Sequence, residues 1–215
     1  MAKAARPVII VLAGVDGAGK SSVGGAMLAE HGLTWFNPDA YARELVVQLG
    51  LESGRTNGRA WEFGRARLEA AMSHGTNHAF ETTLGASTIP DMLAKASRTH
   101  DIAMLFCGLS SVEQHIERVR FRVARGGHDI PEEKIRERWL ASRANLIKLL
   151  PVLTRLQVFD NSAEAMPGQD IPDPTLVLEV LAGRMVFPMP DNAAALAATP
   201  AWARSIVQAA FEALA

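Results

Sequence analysis

The chain of 215 residues has one cysteine, Cys107, and almost no net charge: 22 Lys and Arg stand against 23 Asp and Glu. One cysteine excludes an intramolecular disulfide and any zinc site built on cysteines. It lies in the apolar run "IAMLFCGL", as a small buried hydrophobe would. A net charge of −1 gives no overall basic field to draw in nucleic acid. Long hydrophobic runs are also missing. The N-terminal "MAKAARPVIIVLAG" holds seven consecutive apolar or near-apolar residues before Gly14, too few to span a bilayer. It has no cleavage site after a proper apolar region. A cytoplasmic location is therefore expected. There is no internal repeat. Apolar residues still make up 48% of the chain, enough for a substantial core.

Strand and helix signals alternate for about the first 160 residues. "PVIIVLAG" suits a buried parallel strand. Residues 20–31 read as a helix ending at Gly32, and "LTWFNPD" as a second strand leading into a turn. Residues 40–49 read as a helix stopped by Gly50, "ESGRTNG" as a loop, and 58–73 as a further helix. "HAFETTL" is β-rich, and a helix is expected near 88–99. "DIAMLFCGL" reads as another buried strand. Residues 110–125 read as a helix stopped by Gly126 and Gly127. Pro131 opens a long helix to about Leu150, and "LQVFDNS" is the next strand. The alternation implies an α/β, doubly wound, mostly parallel sheet. The expected division is a core at 1–175 and an appendage at 176–215. The appendage holds a hairpin around "LAG" and an Ala-rich helix from about Pro200 that packs through Ile206, Ala209, Ala210 and Leu214.

"GVDGAGKS", Gly14 to Ser21, fits G-x-x-x-x-G-K-[ST] in full, between an apolar strand and a helix. Glycines let the backbone approach a ligand closely, so the loop amides can point at anionic oxygens. The helix N-terminus adds partial positive charge. Gly14, Asp16, Gly17, Ala18, Gly19, Lys20, Ser21 and Ser22 are the candidate nucleotide-binding residues. Lys20 bridges the β- and γ-phosphates in this pattern, and the Ser21 hydroxyl ligates Mg²⁺. The loop does not say whether the phosphate serves a motor, a switch or a kinase.

Three features bear on that choice. Asp39, after the run "LTWFNP", fits a carboxylate at the sheet edge that orients an acceptor hydroxyl and takes its proton. It fits equally well as an N-cap of the helix from Ala40. Glu81, with Thr82 beside it, fits an acceptor or a metal-bound water, or else a solvated charge on an edge strand. Arg118, Arg122 and Arg125 share one helix face, opposite Ile116, Val119 and Val123. With the helix from Pro131 they form either an arginine-bearing lid near 118–138 or a basic face paired with Glu113, Glu117, Glu132, Glu133 and Glu137. His128 reads as a turn residue. No apolar run ends on an acid in the manner of a second nucleotide motif, which counts against a motor-type ATPase.

Together these segments resemble the zeta-toxin-like P-loop kinase family: "GVDGAGKSS", "FNPDAYA", "FETTL", "RVRFRVARGGHDIP", "IRERWLASRANL" and "FDNS", in that order over residues 8–162. The most specific is R-V-x-x-R-V-x-x-G-G-H-x-[IV]-P from Arg118 to Pro131. The resemblance implies transfer of a phosphoryl group from ATP or GTP, with Mg²⁺, to a small-molecule hydroxyl. Toxin members act on UDP-N-acetylglucosamine. Carried over by motif, Lys20 and Ser21 handle phosphates and Mg²⁺, and Asp39 is the base or the acceptor-orienting group. Glu81 and Thr82 line the acceptor site. Arg122 and Arg138 stabilise charge, with Arg118, Arg125 and Arg136 nearby. The chain departs from the family at Val15 and Asp16, where Pro and Asn are frequent, and at Trp139, where Tyr is common. "GVDGAGKS" is also close to the loop of thymidylate kinases, so a nucleoside monophosphate kinase is a second reading. A nucleotide-binding interaction protein with an antitoxin-like partner is a third.

Overall fold

The apolar runs "PVIIVLAG" and "DIAMLFCGL" become neighbouring parallel strands that need no polar alternation, and "HAFETTL" and "LQVFDNS", which carry polar residues, pair alongside them. The computed structural model describes residues 5–50, 53–164, 170, 172–189 and 191–214. The parallel strands are β1 (Val8–Ala13), β2 (His78–Thr82), β3 (Asp101–Gly108) and β4 (Arg155–Asp160). Two antiparallel strands follow, β5 (Thr175–Leu181) and β6 (Arg184–Phe187). The sheet order is β2-β1-β3-β4-β5-β6. The order reverses at β1, so the crevice beside its C-terminal end is where a doubly wound sheet receives ligands. The phosphate loop leaves β1 at that end.

Among the described residues, eight α-helices connect or flank the strands: α1 (Lys20–Glu30), α2 (Pro38–Leu49), α3 (Ser53–His74), α4 (Thr88–Ala96), α5 (Val112–Val123), α6 (Glu132–Leu149), α7 (Ala193–Ala197) and α8 (Arg204–Leu214). The main core gathers Ile9 and Val11 of β1, Ile102, Met104 and Phe106 of β3, and Leu156 and Val158 of β4. Leu93 of α4, Leu146 and Leu149 of α6, and Ile206 and Ala210 of α8 close over them. A second cluster holds Val15, Ile116, Val119, Ile130 and Ile135. It joins the phosphate loop to α5, α6 and the turn between them.

Two expectations are corrected. "LTWFNPD" is not a strand: only Phe36 bridges Phe80 of β2, with Phe36 N donating to Ala79 O at 2.8 Å and Glu81 N to Phe36 O at 2.9 Å. Pro38 lacks an N–H and opens α2, which ends any pairing there. "ESGRTNG" is mostly not a loop, because α3 already runs from Ser53. Burial of Thr56 and Ala60 outweighs the low helix propensity of Gly54 and Gly58. Leu51 and Glu52 lie outside the described residues.

The hairpin expected around "LAG" turns through Ala182 and Gly183, both at positive φ, which matches the twist of two paired strands. Segment 176–215 supplies most of β5, all of β6, and α8 against the sheet that carries the phosphate loop. Truncation of fully buried Ile206 to Ala therefore removes core shared by both parts. It is expected to cost about 2–5 kcal/mol. Denaturant unfolding should show a single transition shifted by that amount; an unshifted main transition would separate the two parts.

Candidate active site

Gly14 to Ser21 bends from β1 into α1. Gly14, at φ 138°, lies so close to the Cys107 carbonyl of β3 that no side chain fits. Gly19, at φ 86°, caps α1 without a side-chain bond, so the first amides of the helix keep their hydrogen-bonding capacity. The loop is fixed through its carbonyls instead. His115 Nδ1 donates to Asp16 O at 2.7 Å, Asn161 Nδ2 to Ala18 O at 3.0 Å, and Lys20 Nζ to Val15 O at 3.3 Å. Gly17 and Ser22 lie within the same bend and the first turn of α1.

Asp16 is buried, with Arg138 Nη1 2.7 Å from its Oδ2. Burial pushes its carboxyl pKa up, but Lys20 and Arg138 outweigh this and hold it below the ordinary 3.8. His115 is buried on α5, and desolvation pulls its pKa down to about 4. The ring is therefore neutral near pH 7, and Nδ1 carries the proton it donates. Beneath the loop, burial pushes the Cys107 thiol up to about 12, which leaves it inert.

Beside the loop is a cavity of about 320 Å³. Asp16, Lys20, Asp39, Glu81, Thr82 and Arg138 are among the polar residues that line it. Phe36, Phe80 and Ile89 supply apolar surface, and Trp61, Arg65 and Lys134 also face it. Asp39 lies in the first turn of α2 and is exposed. The N-cap of that helix is Asn37, whose Oδ1 accepts from Ala40 N at 3.0 Å, so capping is not the role of Asp39. Glu81 is buried and accepts from Trp35 Nε1 at 2.7 Å, and is not a solvated edge charge. Thr82 Oγ1 accepts from Leu84 N at 3.1 Å. The cavity roof includes His128, 3.1 Å from Asn57 Nδ2 through Nε2. That bond ties the α5–α6 turn to α3.

The arginines divide. Arg138 alone among those singled out bonds the phosphate loop. Arg118 Nη2 donates to Asn161 O at 2.8 Å and bridges to the segment after β4. Arg122 Nη2 donates to His128 O at 3.0 Å and holds the turn between α5 and α6. Arg125 lies past the end of α5, stacked 3.4 Å over the Phe121 ring. Arg136 pairs with Glu113 at 2.9 Å, and Arg120 with Glu132, so part of the basic face is paired with acids as the solvated reading expects.

Ser21 Oγ accepts from Asn37 Nδ2 at 3.2 Å and is held at the cavity side of α1. Among the described residues no group of three or more His, Cys, Asp or Glu forms a metal cage. A hydroxyl at the end of a phosphate loop suits Mg²⁺, which keeps water and phosphate ligands rather than an all-protein shell. Sequence reasoning missed His115, Asn161 and Asn37 as loop and hydroxyl anchors. Asn37 and Asn161 sit inside "FNPDAYA" and "FDNS", segments already singled out; His115 carries no comparable signal.

The His115 geometry gives stability a pH dependence. Between about pH 6.5 and 4 the unfolded chain binds a proton that the folded ring refuses, so stability falls as the pH is lowered through that window. Asp16 acts lower, its contribution being lost only as the pH falls below about 3.8. His115→Gln keeps a donor and cannot titrate. Thermal melts should show a shallower loss of Tm on acidification through the histidine window than wild type; an equal slope would assign that loss to other groups.

The zeta toxin family model matches residues 1–166. No curated protein matches the chain. A chain of the AvrRxo1-ORF1:AvrRxo1-ORF2 complex solved with ATP superposes with a TM-score of 0.62 at 17% identity, over 85% of this chain and 60% of that one. The present chain thus spans about 60% of the length of that relative. A chain of the PezAT chromosomal toxin–antitoxin system of Streptococcus pneumoniae superposes at 0.51 with 15% identity, over 74% of this chain and 69% of that one. A chain of the Pnkp1/Rnl/Hen1 RNA repair complex superposes at 0.50 with 21% identity, over 68% and 47%. At these identities the superpositions speak for the fold alone, a mostly parallel α/β sheet. Among the described residues no helix is long and apolar enough to cross a membrane. With the family model covering about three quarters of its length, the chain belongs to the zeta toxin family.

Proposed function

We propose that this protein is a P-loop kinase that moves the γ-phosphoryl group of ATP or GTP to a hydroxyl of a small molecule held in the cavity between the phosphate loop, α2, α3 and β2. The observation that carries this reading is one cavity beside the phosphate loop whose lining brings together Lys20, Arg138 and the carboxylates of Asp39 and Glu81. Phosphoryl transfer needs little covalent chemistry from the protein; it needs positioning and cationic compensation.

In this reading the loop from Gly14 to Ser22 wraps the phosphates through its amides. Lys20 leaves the Val15 carbonyl and spans the β- and γ-phosphates. Ser21 would hold Mg²⁺, whose chemistry here is to neutralise phosphate charge. Asp39, exposed to the cavity, orients the acceptor hydroxyl and takes its proton. Glu81, held by Trp35, and Thr82 bind the acceptor. Arg138 compensates charge as it shifts toward the transferred group. Arg118, Arg122 and Arg125 act one step back, on the segment after β4 and on the lid turn. A UDP-N-acetyl sugar is the first acceptor to test. The reading puts the protein in the cytoplasm, where nucleoside triphosphates are abundant. Two solved relatives are two-protein assemblies by title, which supports an antitoxin-like chain as protein partner.

Incubation with γ-labelled ATP, Mg²⁺ and an acceptor panel of UDP-N-acetyl sugars, nucleoside monophosphates and a bacterial metabolite extract should label a soluble product. Asp39→Asn should slow transfer by about 10²–10⁴-fold with little change in nucleotide affinity. Lys20→Ala should weaken both nucleotide binding and transfer. Unchanged turnover in Asp39→Asn would remove it as the base, and a panel with no labelled product would overturn the kinase reading.

A further inference from the structure

One loop residue is held from three directions. The main-chain carbonyl of Asp16 accepts from His115 of α5 at 2.7 Å, and its carboxylate accepts from Arg138 of α6 at 2.7 Å. The neighbouring Val15 is buried in the cluster formed by those same two helices. Arg138 is in turn held at both ends. Its head is on Asp16, and its stem lies against Gly85 in the turn after β2. A Cβ added at Gly85 would fall 2.5 Å from Arg138 Cγ and 3.1 Å from its Cβ. Any larger residue there would push the stem away. The guanidinium is thus located by two contacts on separate elements, which removes most of its rotamer freedom before any ligand arrives.

We propose that Asp16, acting with Gly85, is the positioning residue for Arg138: its carboxylate fixes the guanidinium at the boundary between the phosphate loop and the acceptor cavity. The inference rests on the kinase reading. An arginine has five N–H donors. The contact with Asp16 uses Nη1, which leaves the others for a ligand. Without its partner a long side chain, about one third exposed here, samples many rotamers and loses the preorganisation that makes a cation effective in a transition state. Neighbouring Lys20 and Arg138 keep the Asp16 carboxyl ionised to below its ordinary range. The clamp therefore stays closed throughout the neutral range. The remaining ionisable side chains around the same cavity are Asp39, Arg65, Glu81, His128, Asp129 and Lys134.

The test needs no acceptor. Binding of MgADP alone is compared with binding of MgADP plus aluminium fluoride, a mimic of the transferring phosphoryl group, by calorimetry on the full chain. In wild type the fluoride should tighten binding. Asp16→Asn should cut the gain from fluoride, taken as the ratio of that variant's own affinities with and without fluoride, about tenfold, equivalent to about 1.4 kcal/mol. Arg138→Ala should do the same, and the double variant should be no worse than either single one. Gly85→Ala, which crowds the stem of Arg138 more closely than it crowds Thr83 Oγ1, should also cut the gain. Should Asp16→Asn fail to fold, Arg138→Ala and Gly85→Ala carry the test. Losses that multiply in the double variant, or a fluoride gain left intact in Asp16→Asn, Arg138→Ala or Gly85→Ala, overturn the positioning role. Wild type that binds MgADP without any gain from fluoride overturns this inference and leaves nucleotide binding standing. Wild type that binds no nucleotide overturns the kinase reading, and the inference with it.

Discussion

A loop that grips phosphates through its amides cannot use those amides to hold itself in shape. The rest of this structure follows from that constraint. The carbonyls of Val15, Asp16 and Ala18 each accept a side-chain donor, from Lys20, His115 and Asn161 in turn. The donors come from α1, α5 and the end of β4, three elements that meet only because the sheet order places β1 beside β3 and β3 beside β4. The one backbone bond recorded inside the bend, Ala18 N to Val15 O at 3.1 Å, leaves the outer walls to these anchors. A buried donor–acceptor pair costs more to break than it gains on forming, because each member is left unpaired. That asymmetry favours one loop conformation over its many alternatives.

Helix α6 is the second organiser. Arg138 reaches the phosphate loop, and one turn-pair later Asn145 Nδ2 donates to Leu84 O at 2.7 Å and to Ala86 O at 3.3 Å. Leu84 is held at φ 51°, an unusual angle for a branched side chain, and Asn145 satisfies the carbonyl that this bend exposes. One face of one helix thus positions both the loop after β1 and the turn after β2. Ile135 and Leu146 bury the helix against the two apolar clusters that lie on either side of the site.

Much of this was legible in the sequence. The phosphate loop and the strands that fill the core announce themselves through composition and spacing, because covered parallel strands must be apolar and a phosphate cradle must contain glycine. Arg138 and Asn145 share a face by helical arithmetic alone. The boundaries that were misread, at "LTWFNPD" and "ESGRTNG", are places where tertiary contacts outweigh local preference: one bridge at Phe36, and burial of Thr56 and Ala60. His115 was illegible for a related reason. A histidine used for one neutral hydrogen bond carries no motif, and its partner is a main-chain carbonyl 99 residues away. The arginines at 118, 122 and 125 showed the right spacing for a common face, but spacing does not say which acceptor each guanidinium meets. That depended on where the chain goes after Asp160 and after Gly126.

The α5–α6 turn leans on α3 through the polar pair Asn57 and His128, whose two side chains reach solvent. Such a tie competes with water at every moment and is remade on the timescale of side-chain rotation, ps to ns. The inner contacts of the same helices, by contrast, are dry and anchored. The outer rim of the chamber is therefore closed at this point by a contact that water can replace, while the charged groups at its inner end have buried partners.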